Sequence, residues 1–351
     1  MTDGALKLGL IGCGGQGGYL SEAAAISGRA ELVACADIDA ARAESFAARF
    51  GYADSFGDAA EMLAEADIEA VIVATPHDQL QPAALAVVRS GRHALVEKPM
   101  ALSAEAGREL VEAARRASVR LMCGYTLRFL PERLEMRRLL DEGVVGEVTH
   151  VLSGQLIGPM GGWLADRSRG GGPLYYVGSH ALDYLLWMTD APVESVFAQM
   201  NREADGGVET DASIAIRFAS GVLGQLLTSQ RMGGRYGWCD VIGSAGRLRA
   251  EWENDEIFVQ SQALEEYARP TRIEVPADAH HPPLPREAQA RLGGFKYVRS
   301  WAAEFTEFAD AIREQRDPSV SGEDAVRTLE VIDAAFESDR TGEAVEFWHP
   351  Q

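Results

Sequence analysis

Leu6-Lys7-Leu8-Gly9-Leu10-Ile11-Gly12-Cys13-Gly14-Gly15-Gln16-Gly17 is the stretch that decides the fold. An apolar run breaks into glycines, and Gly12, Gly14 and Gly17 satisfy G-x-G-x-x-G directly behind a predicted strand. The first glycine permits a tight turn and the second lets backbone approach a pyrophosphate. The third lets the next helix pack on the strand while its N-terminus faces the phosphates. A second apolar run, Glu31 to Ala36, ends at Asp37, twenty residues after Gly17. At that distance a carboxylate accepts from an adenosine ribose diol. The spacing predicts a dinucleotide site using Gly12, Gly14, Gly15, Gln16, Gly17 and Asp37. An acid there repels a ribose phosphate and leaves it without an arginine partner, which favours NAD over NADP.

Working outward, apolar runs alternate with amphipathic stretches as far as Gly124, the pattern of a parallel sheet with crossover helices. Strands are predicted at Lys7 to Ile11, Glu31 to Ala36, Ala70 to Ala74, His93 to Val96 and Arg120 to Cys123, with a weaker one near Gly51 to Asp54. Ala43, Phe46, Ala47 and Phe50 share one face of a helix over Ala40 to Phe50. Beyond Gly124 the runs lengthen and turn β-rich: Val148 to Leu156, Val193 to Asn201, Ala212 to Phe218, Val222 to Ser229, Cys239 to Ile242 and Arg247 to Trp252. Ala279 to Arg286 is Pro-rich and reads as loop. Two late helices follow, one burying Trp301, Phe305, Phe308 and Ile312. The other opens with a capping box, Ser321 and Asp324, and buries Val326, Leu329 and Ala335. The expected fold is α/β: an N-terminal doubly wound parallel sheet over residues 1–123, then an α+β domain over 124–351 with a large, mostly antiparallel open sheet, its late helices either staying with that domain or packing back on the first. A length of 351 residues agrees with two domains.

Charge narrows the partners. Lys and Arg number 33 against 53 Asp and Glu, a net charge of −20 that repels polyanions, so no nucleic-acid partner is expected. No apolar run approaches the roughly 20 residues of a membrane span, and the N-terminus lacks a basic start followed by an apolar stretch. A cytoplasmic protein without a membrane partner is expected. Cys13, Cys35, Cys123 and Cys239 lack metal-ligand spacing and read as buried free thiols, so no metal is expected.

Two further motifs lie at predicted strand ends, where open α/β sheets bind ligands: Thr75-Pro76-His77 and Glu97-Lys98-Pro99. Together with Gly124-Tyr125, Arg128 to Pro131, Gly143 to Val148, Gly170-Gly171-Gly172, Gly178-Ser179-His180, Asp183 and Ser321 to Asp324, they make the chain resemble the glucose-fructose oxidoreductase, inositol dehydrogenase and rhizopine catabolism (Gfo/Idh/MocA) family nearly end to end. The resemblance implies a Rossmann domain and hydride transfer between a nicotinamide and a carbon of a sugar, inositol or other polyol. It also implies an open sheet often used for oligomer contacts, hence a homodimer or homotetramer. Lys98 takes the place of the catalytic lysine and His180 that of the acid/base histidine. Thr75, Pro76, His77, Glu97 and Lys98 extend the cofactor-binding set.

The chemistry fits those residue types. Oxidising an alcohol needs a base near the O–H, and a nearby ammonium stabilises developing alkoxide. An imidazole suits the proton step because it holds either form near neutral pH. The chain departs from the family at Tyr176, where relatives commonly carry Asp four residues before the histidine, and at Leu80, where they often carry histidine. A phenol cannot supply a carboxylate's charge. Tyr176 therefore either donates to the substrate oxygen or forms pocket wall. Asp183, three residues after His180, either joins the site or pairs locally. Tyr125, Arg128, Trp163, Arg167 and Arg169 are further pocket candidates, since aromatic faces stack on sugar rings and guanidinium forks hold hydroxyls or carboxylates. The leading expectation is an NAD-dependent polyol or sugar dehydrogenase. The alternatives are an enzyme that retains NAD and oxidises a sugar only transiently, and a non-catalytic dinucleotide sensor.

Overall fold

The computed structural model describes residues 4–204, 207–252, 254–281 and 297–347. Among them, the residues of Met1–Phe129 and His281–Val326 form one compact unit, and those of Leu130–His280 and Arg327–Gln351 form another.

In the first unit, β1 (Leu6–Ile11), β2 (Ala30–Ala36), β3 (Asp54–Phe56), β4 (Ala70–Val73), β5 (His93–Val96) and β6 (Leu121–Cys123) lie in the order β3-β2-β1-β4-β5-β6. Every neighbouring pair is parallel. The order reverses between β1 and β4, the switch point where such sheets bind ligands. The connecting helices are α1 (Gly15–Ser27), α2 (Ala40–Phe50), α3 (Ala59–Glu65), α4 (His77–Arg89) and α5 (Ala104–Ala117). Side-chain oxygens of Asp39, Asp58 and Ser103 accept the otherwise unpaired N–H groups of Arg42, Glu61 and Ala106 at the starts of α2, α3 and α5. All four residues of β4 are buried, as a strand covered on both faces requires.

The second unit carries α6 (Pro131–Asp141), β7 (Val148–Leu156), α7 (Ser179–Thr189), β8 (Val193–Arg202), β9 (Glu209–Phe218), β10 (Leu223–Ser229), β11 (Tyr236–Gly243), β12 (Gly246–Glu251), β13 (Glu256–Ser261), β14 (Thr271–Glu274) and β15 (Val345–Glu346). Its sheet runs β14-β13-β12-β11-β7-β10-β9-β8-β15, antiparallel except where β10 meets β7. Alternation is clear along β9, where Ile214, Ile216 and Phe218 are buried while Ser213, Ala215 and Arg217 are exposed. Helix α7 packs on β7 and α6 on β12 and β13. At the centre, Gly154 leaves room for an indole: a Cβ there would sit 2.3 Å from the Trp238 ring.

The boundary differs from the expected cut after residue 123. The first unit extends through Phe129, and the late helices pack back on it as one of the two expected arrangements has it, α8 (Tyr297–Arg313) wholly and α9 (Gly322–Thr341) at its start. Val298, Trp301, Phe305 and Phe308 of α8 join the core under the parallel sheet, and Tyr19 of α1 stacks on Trp301 with centroids 5.0 Å apart. Burying such side chains stabilises by about 1.5–3 kcal/mol each, which is why the late helix returns to this core. Thr126 donates to both Glu304 carboxyl oxygens on α8, tying Thr126–Phe129 to the same unit. The capping box at α9 forms reciprocally, Asp324 N–H to Ser321 Oγ and Ser321 N–H to Asp324 Oδ2, each at 3.1 Å. The weak strand lies at Asp54–Phe56, later than Gly51 to Asp54, because Gly51 ends α2 at φ 85°. Strands β13, β14 and β15 were not anticipated. Of the Pro-rich loop, Pro282 to Arg286 fall outside the described residues.

Candidate active site

The glycine turn is built as its spacing requires. Gly12 sits at φ 101°, and a Cβ there would lie 2.6 Å from the Ala74 carbonyl oxygen. A Cβ on Gly17 would lie 2.3 Å from the Gly12 oxygen, whereas Gly14 and Gly15 face open space. Backbone at the start of α1 is thus left bare for a ligand, with the helix N-terminus behind it. Asp37 is held in place by two backbone donors, Cys13 N–H and Asp39 N–H, both at 3.0 Å. Ile38, next in sequence, is 99% exposed. Arg42 reaches Asp37 at 3.3 Å and Asp39 at 3.2 Å, so an arginine does stand beside the acid, contrary to the sequence expectation. A groove of about 600 Å³ runs past Cys13, Gly14, Gly15, Tyr19, Arg42 and Phe46.

At the adjoining strand end, the buried Thr75 hydroxyl has no hydrogen-bond partner among the described residues. Bare backbone, a fixed acid and an unspent hydroxyl at the switch point fit a dinucleotide. Pro76 precedes α4, and His77, its first residue, is buried. Leu80, where relatives often carry histidine, is fully buried in the core.

Glu97 and Lys98 follow β5, and both are buried. The Glu97 carboxyl accepts from Gln16 Nε2 at 2.7 Å and from the Lys98 N–H at 3.1 Å. Burial pushes this carboxyl above the ordinary carboxylate range, while the Lys98 ammonium and the Gln16 donor pull it back. The Lys98-Pro99 peptide is cis.

In the second unit, Leu174–Gly178 forms a π-helical turn that runs straight into α7. Such turns recur at functional sites because the extra residue re-aims side chains. Tyr176 lies within it and His180 on the first turn of α7. Across Gly170 to Leu186 these two are the only positions not buried. One phenol and one imidazole, four residues apart, are therefore what this segment offers to a ligand. Asp183, one helical turn beyond His180, is only 1% exposed.

The remaining candidates divide. Tyr125 is fully buried in the first unit's core rather than lining a surface pocket. Arg128 is also buried, donating to the Ser319 carbonyl at 3.3 Å and meeting Asp324 at 3.5 Å, which braces the start of α9. Trp163 is half-buried on a short helical turn, Gly162–Ala165. Arg167 pairs with Glu209 at 3.4 Å and lies 3.5 Å over the Phe336 ring. Arg169 is also half-buried, on the next short turn.

Three residues that shape these surroundings escaped the sequence reading: Arg42, Glu304 and Glu209. The signal for Glu304 was there, an acid on the same helical face as Trp301 and Phe308. All four cysteines are buried and unbridged, and the described residues contain no cluster able to hold a metal.

Comparison with known proteins agrees with this architecture. Residues 6–125 match the model of an oxidoreductase family with an NAD-binding Rossmann fold, and residues 134–249 match the model of the same family's C-terminal domain. Inositol 2-dehydrogenase of Rhizobium meliloti is 29% identical over 345 residues, covering 95% of this chain and 96% of that one. The 1,5-anhydro-D-fructose reductase of Ensifer adhaerens is 33% identical over 204 residues, 56% of this chain and 60% of that one. Among solved structures, levoglucosan dehydrogenase in complex with NADH and levoglucosan superposes with a TM-score of 0.88 at 22% identity, covering 97% of this chain and 99% of that one, which shows a shared fold. With both domain models matched in order, the chain belongs to the GFO/IDH/MocA family of NAD-binding oxidoreductases.

Proposed function

We propose that the protein is an NAD-dependent dehydrogenase that moves hydride between the nicotinamide and a secondary hydroxyl carbon of a sugar, inositol or related polyol. The observation that carries this reading is the pairing of Tyr176 and His180 as the only accessible side chains of an otherwise buried helical run. The names of relatives, an inositol dehydrogenase and an anhydrofructose reductase, support the substrate class.

The bound dinucleotide would supply the hydride acceptor. Gly14, Gly15 and Gln16 would hold its phosphates and Asp37 its ribose diol, with Thr75, Pro76, His77 and Glu97 lining the strand ends. Lys98 carries a positive charge at the end of β5, where it stabilises negative charge developing on the substrate oxygen. His180 takes the hydroxyl proton in oxidation and returns it in reduction. Tyr176 donates a hydrogen bond to the same oxygen, replacing the carboxylate common in relatives. Trp163 completes the substrate-facing set, whereas Asp183 is buried within α7. The preference for NAD rests on Asp37, whose charge repels a ribose phosphate. Phe197, Leu223 and Leu227 share the exposed face of the second unit's sheet and support a homo-oligomer assembled through it.

The test is the near-ultraviolet absorbance of NADH formed when purified protein meets NAD, and separately NADP, with a panel of inositols, aldoses, uronic acids and anhydrosugars. Accumulation well beyond the enzyme concentration, lost in Lys98→Ala with NAD binding retained, is the expected result. Conversion of a glycoside without net NADH would replace the reading with transient, NAD-retaining chemistry. No turnover on any polyol would overturn it.

A further inference from the structure

A buried carboxyl group stands behind the start of the Tyr176–His180 helix. Glu209, the first residue of β9, has no exposed surface. Its Oε1 accepts the Leu174 N–H at 2.9 Å, the first N–H of the helical run that carries Tyr176 and His180. Helix starts leave such donors unpaired and favour a negative charge beside them, and no side chain of the preceding residue Pro173 caps this one. The same carboxyl fills the space beside Gly172, whose φ is 108°: a Cβ there would lie 2.5 Å from Oε1 and 2.6 Å from Oε2. Its second oxygen meets Arg167 at 3.4 Å, and that guanidinium is steadied by the Phe336 ring 3.5 Å away. The glycine segment is pinned from the other side too, Gly171 N–H to Asp166 O and Gly172 N–H to Leu164 O, each at 2.9 Å. Gly172 O in turn accepts the Tyr176 N–H at 3.1 Å, so one chain of contacts runs from Glu209 to the phenol-bearing turn.

We propose that Glu209 is a positioning residue for the reaction, acting through Tyr176 and His180 by anchoring the start of the helix that presents them. The proposal rests on the reading that these two side chains meet the substrate. Glu209 touches no reacting atom; it fixes where the reacting groups stand, and small misplacements of such groups are costly to turnover. A carboxyl oxygen is suited to the task because it accepts the N–H inside a site closed to water, where an unpaired donor would be costly.

The experiment compares turnover of the best substrate from the panel, at saturating NAD, in wild type, Glu209→Asp, Glu209→Gln, His180→Gln and the double variant Glu209→Asp/His180→Gln. The shorter Asp withdraws the acceptor by one methylene, whereas Gln keeps an acceptor oxygen in place. The expected result is a fall in kcat of about tenfold for Glu209→Asp, with KM for NAD unchanged, and about threefold or less for Glu209→Gln. In the double variant, Glu209→Asp adds nothing to the loss caused by His180→Gln, the signature of residues acting as a unit. Full additivity, an unchanged kcat in Glu209→Asp, or a KM for NAD that rises in its place would overturn the proposal. If His180→Gln itself leaves kcat intact, the substrate reading fails separately. The His180 C2–H proton resonance, assigned from its loss in His180→Gln, then decides on positioning: displacement in Glu209→Asp supports the anchor and an unmoved resonance overturns it.

Discussion

Gln16 Nε2 donates to Glu97 Oε1 at 2.7 Å, joining the first turn of the glycine-loop helix to the strand end that carries Lys98. The buried Glu97 carboxyl takes its other hydrogen bond from the Lys98 N–H. Gln16→Leu removes the side-chain donor and leaves that oxygen underpaired, a loss of about 1–3 kcal/mol. Because burial already raises the Glu97 pKa, losing the donor raises it further. The expected outcome in thermal unfolding is a melting temperature lower by about 2–4 °C for each kcal/mol lost, with KM for NAD increased. An unchanged melting curve and unchanged KM would show that water replaces Gln16.

Asp37 and Arg42 predict how the nucleotide preference shifts. Asp37→Ala removes the acceptor proposed for the ribose diol and releases Arg42 from its 3.3 Å contact. KM for NAD should rise about ten- to a hundredfold, as for a charged hydrogen bond, while turnover with NADP improves as the freed guanidinium meets the added phosphate. Arg42→Ala alone should leave NAD turnover little changed, and Asp37→Ala/Arg42→Ala should lose the gain with NADP. Steady-state kinetics with both nucleotides checks all three variants.

What the sequence disclosed follows from how local each signal is. Gly12, Gly17 and Asp37 were legible because spacing within one strand-turn-helix-strand unit marks them, the glycines by backbone shape and the acid by its distance from them. The strands of the parallel sheet were legible because double-sided burial writes continuous apolar runs. Strands β14 and β15 were not: Thr271–Glu274 and Val345–Glu346 sit at sheet edges with little apolar content, so no alternation marks them. Tyr125 and Arg128 looked like pocket residues because their types suit sugars, and only tertiary packing reveals that the core and Asp324 claim them. Glu209 and Glu304 are acids whose meaning depends on residues 35 and 178 positions away in sequence, Leu174 and Thr126. No window along the chain contains that information.

Glu304 predicts a pH dependence of stability. It is fully buried on α8, with the Thr126 hydroxyl as donor to both oxygens. Burial, reinforced by the Glu97 charge, raises its pKa well above the ordinary value of 4.5. A carboxyl raised in the folded state binds its proton more tightly there than in the unfolded chain. Its stabilising contribution is therefore complete below pH 4.5 and is lost as pH rises through the folded value. Glu304→Gln, which mimics the neutral carboxyl, should match wild type at the acid end and exceed it in melting temperature as pH rises through neutrality. Melting temperatures recorded across that range check it; equal slopes for both proteins would mean that Glu304 titrates normally.

The exposed face of the second unit's sheet yields the last prediction. Registers place Phe197 beside Ala215 and Gln225, and Leu227 beside Ser213 and Gln199, so Phe197, Leu223 and Leu227 project from one face. They are 39%, 40% and 38% exposed, in strands whose other face is buried. Large apolar side chains spaced among glutamine and serine on a broad sheet gain by burial against a partner, and a second copy supplies the same face in return. A stable pair needs about 800 Å² from each partner, a demand a broad sheet face suits better than a few loops do. Leu227→Glu puts a charge from each copy into such a pair and should shift sedimentation velocity profiles toward the monomer, while the melting profile of the isolated protomer changes little because the residue leaves the core untouched. Wild-type protein that already sediments as a monomer at micromolar concentration would remove the oligomer from the proposal and leave the dehydrogenase reading to stand on Lys98, Tyr176 and His180.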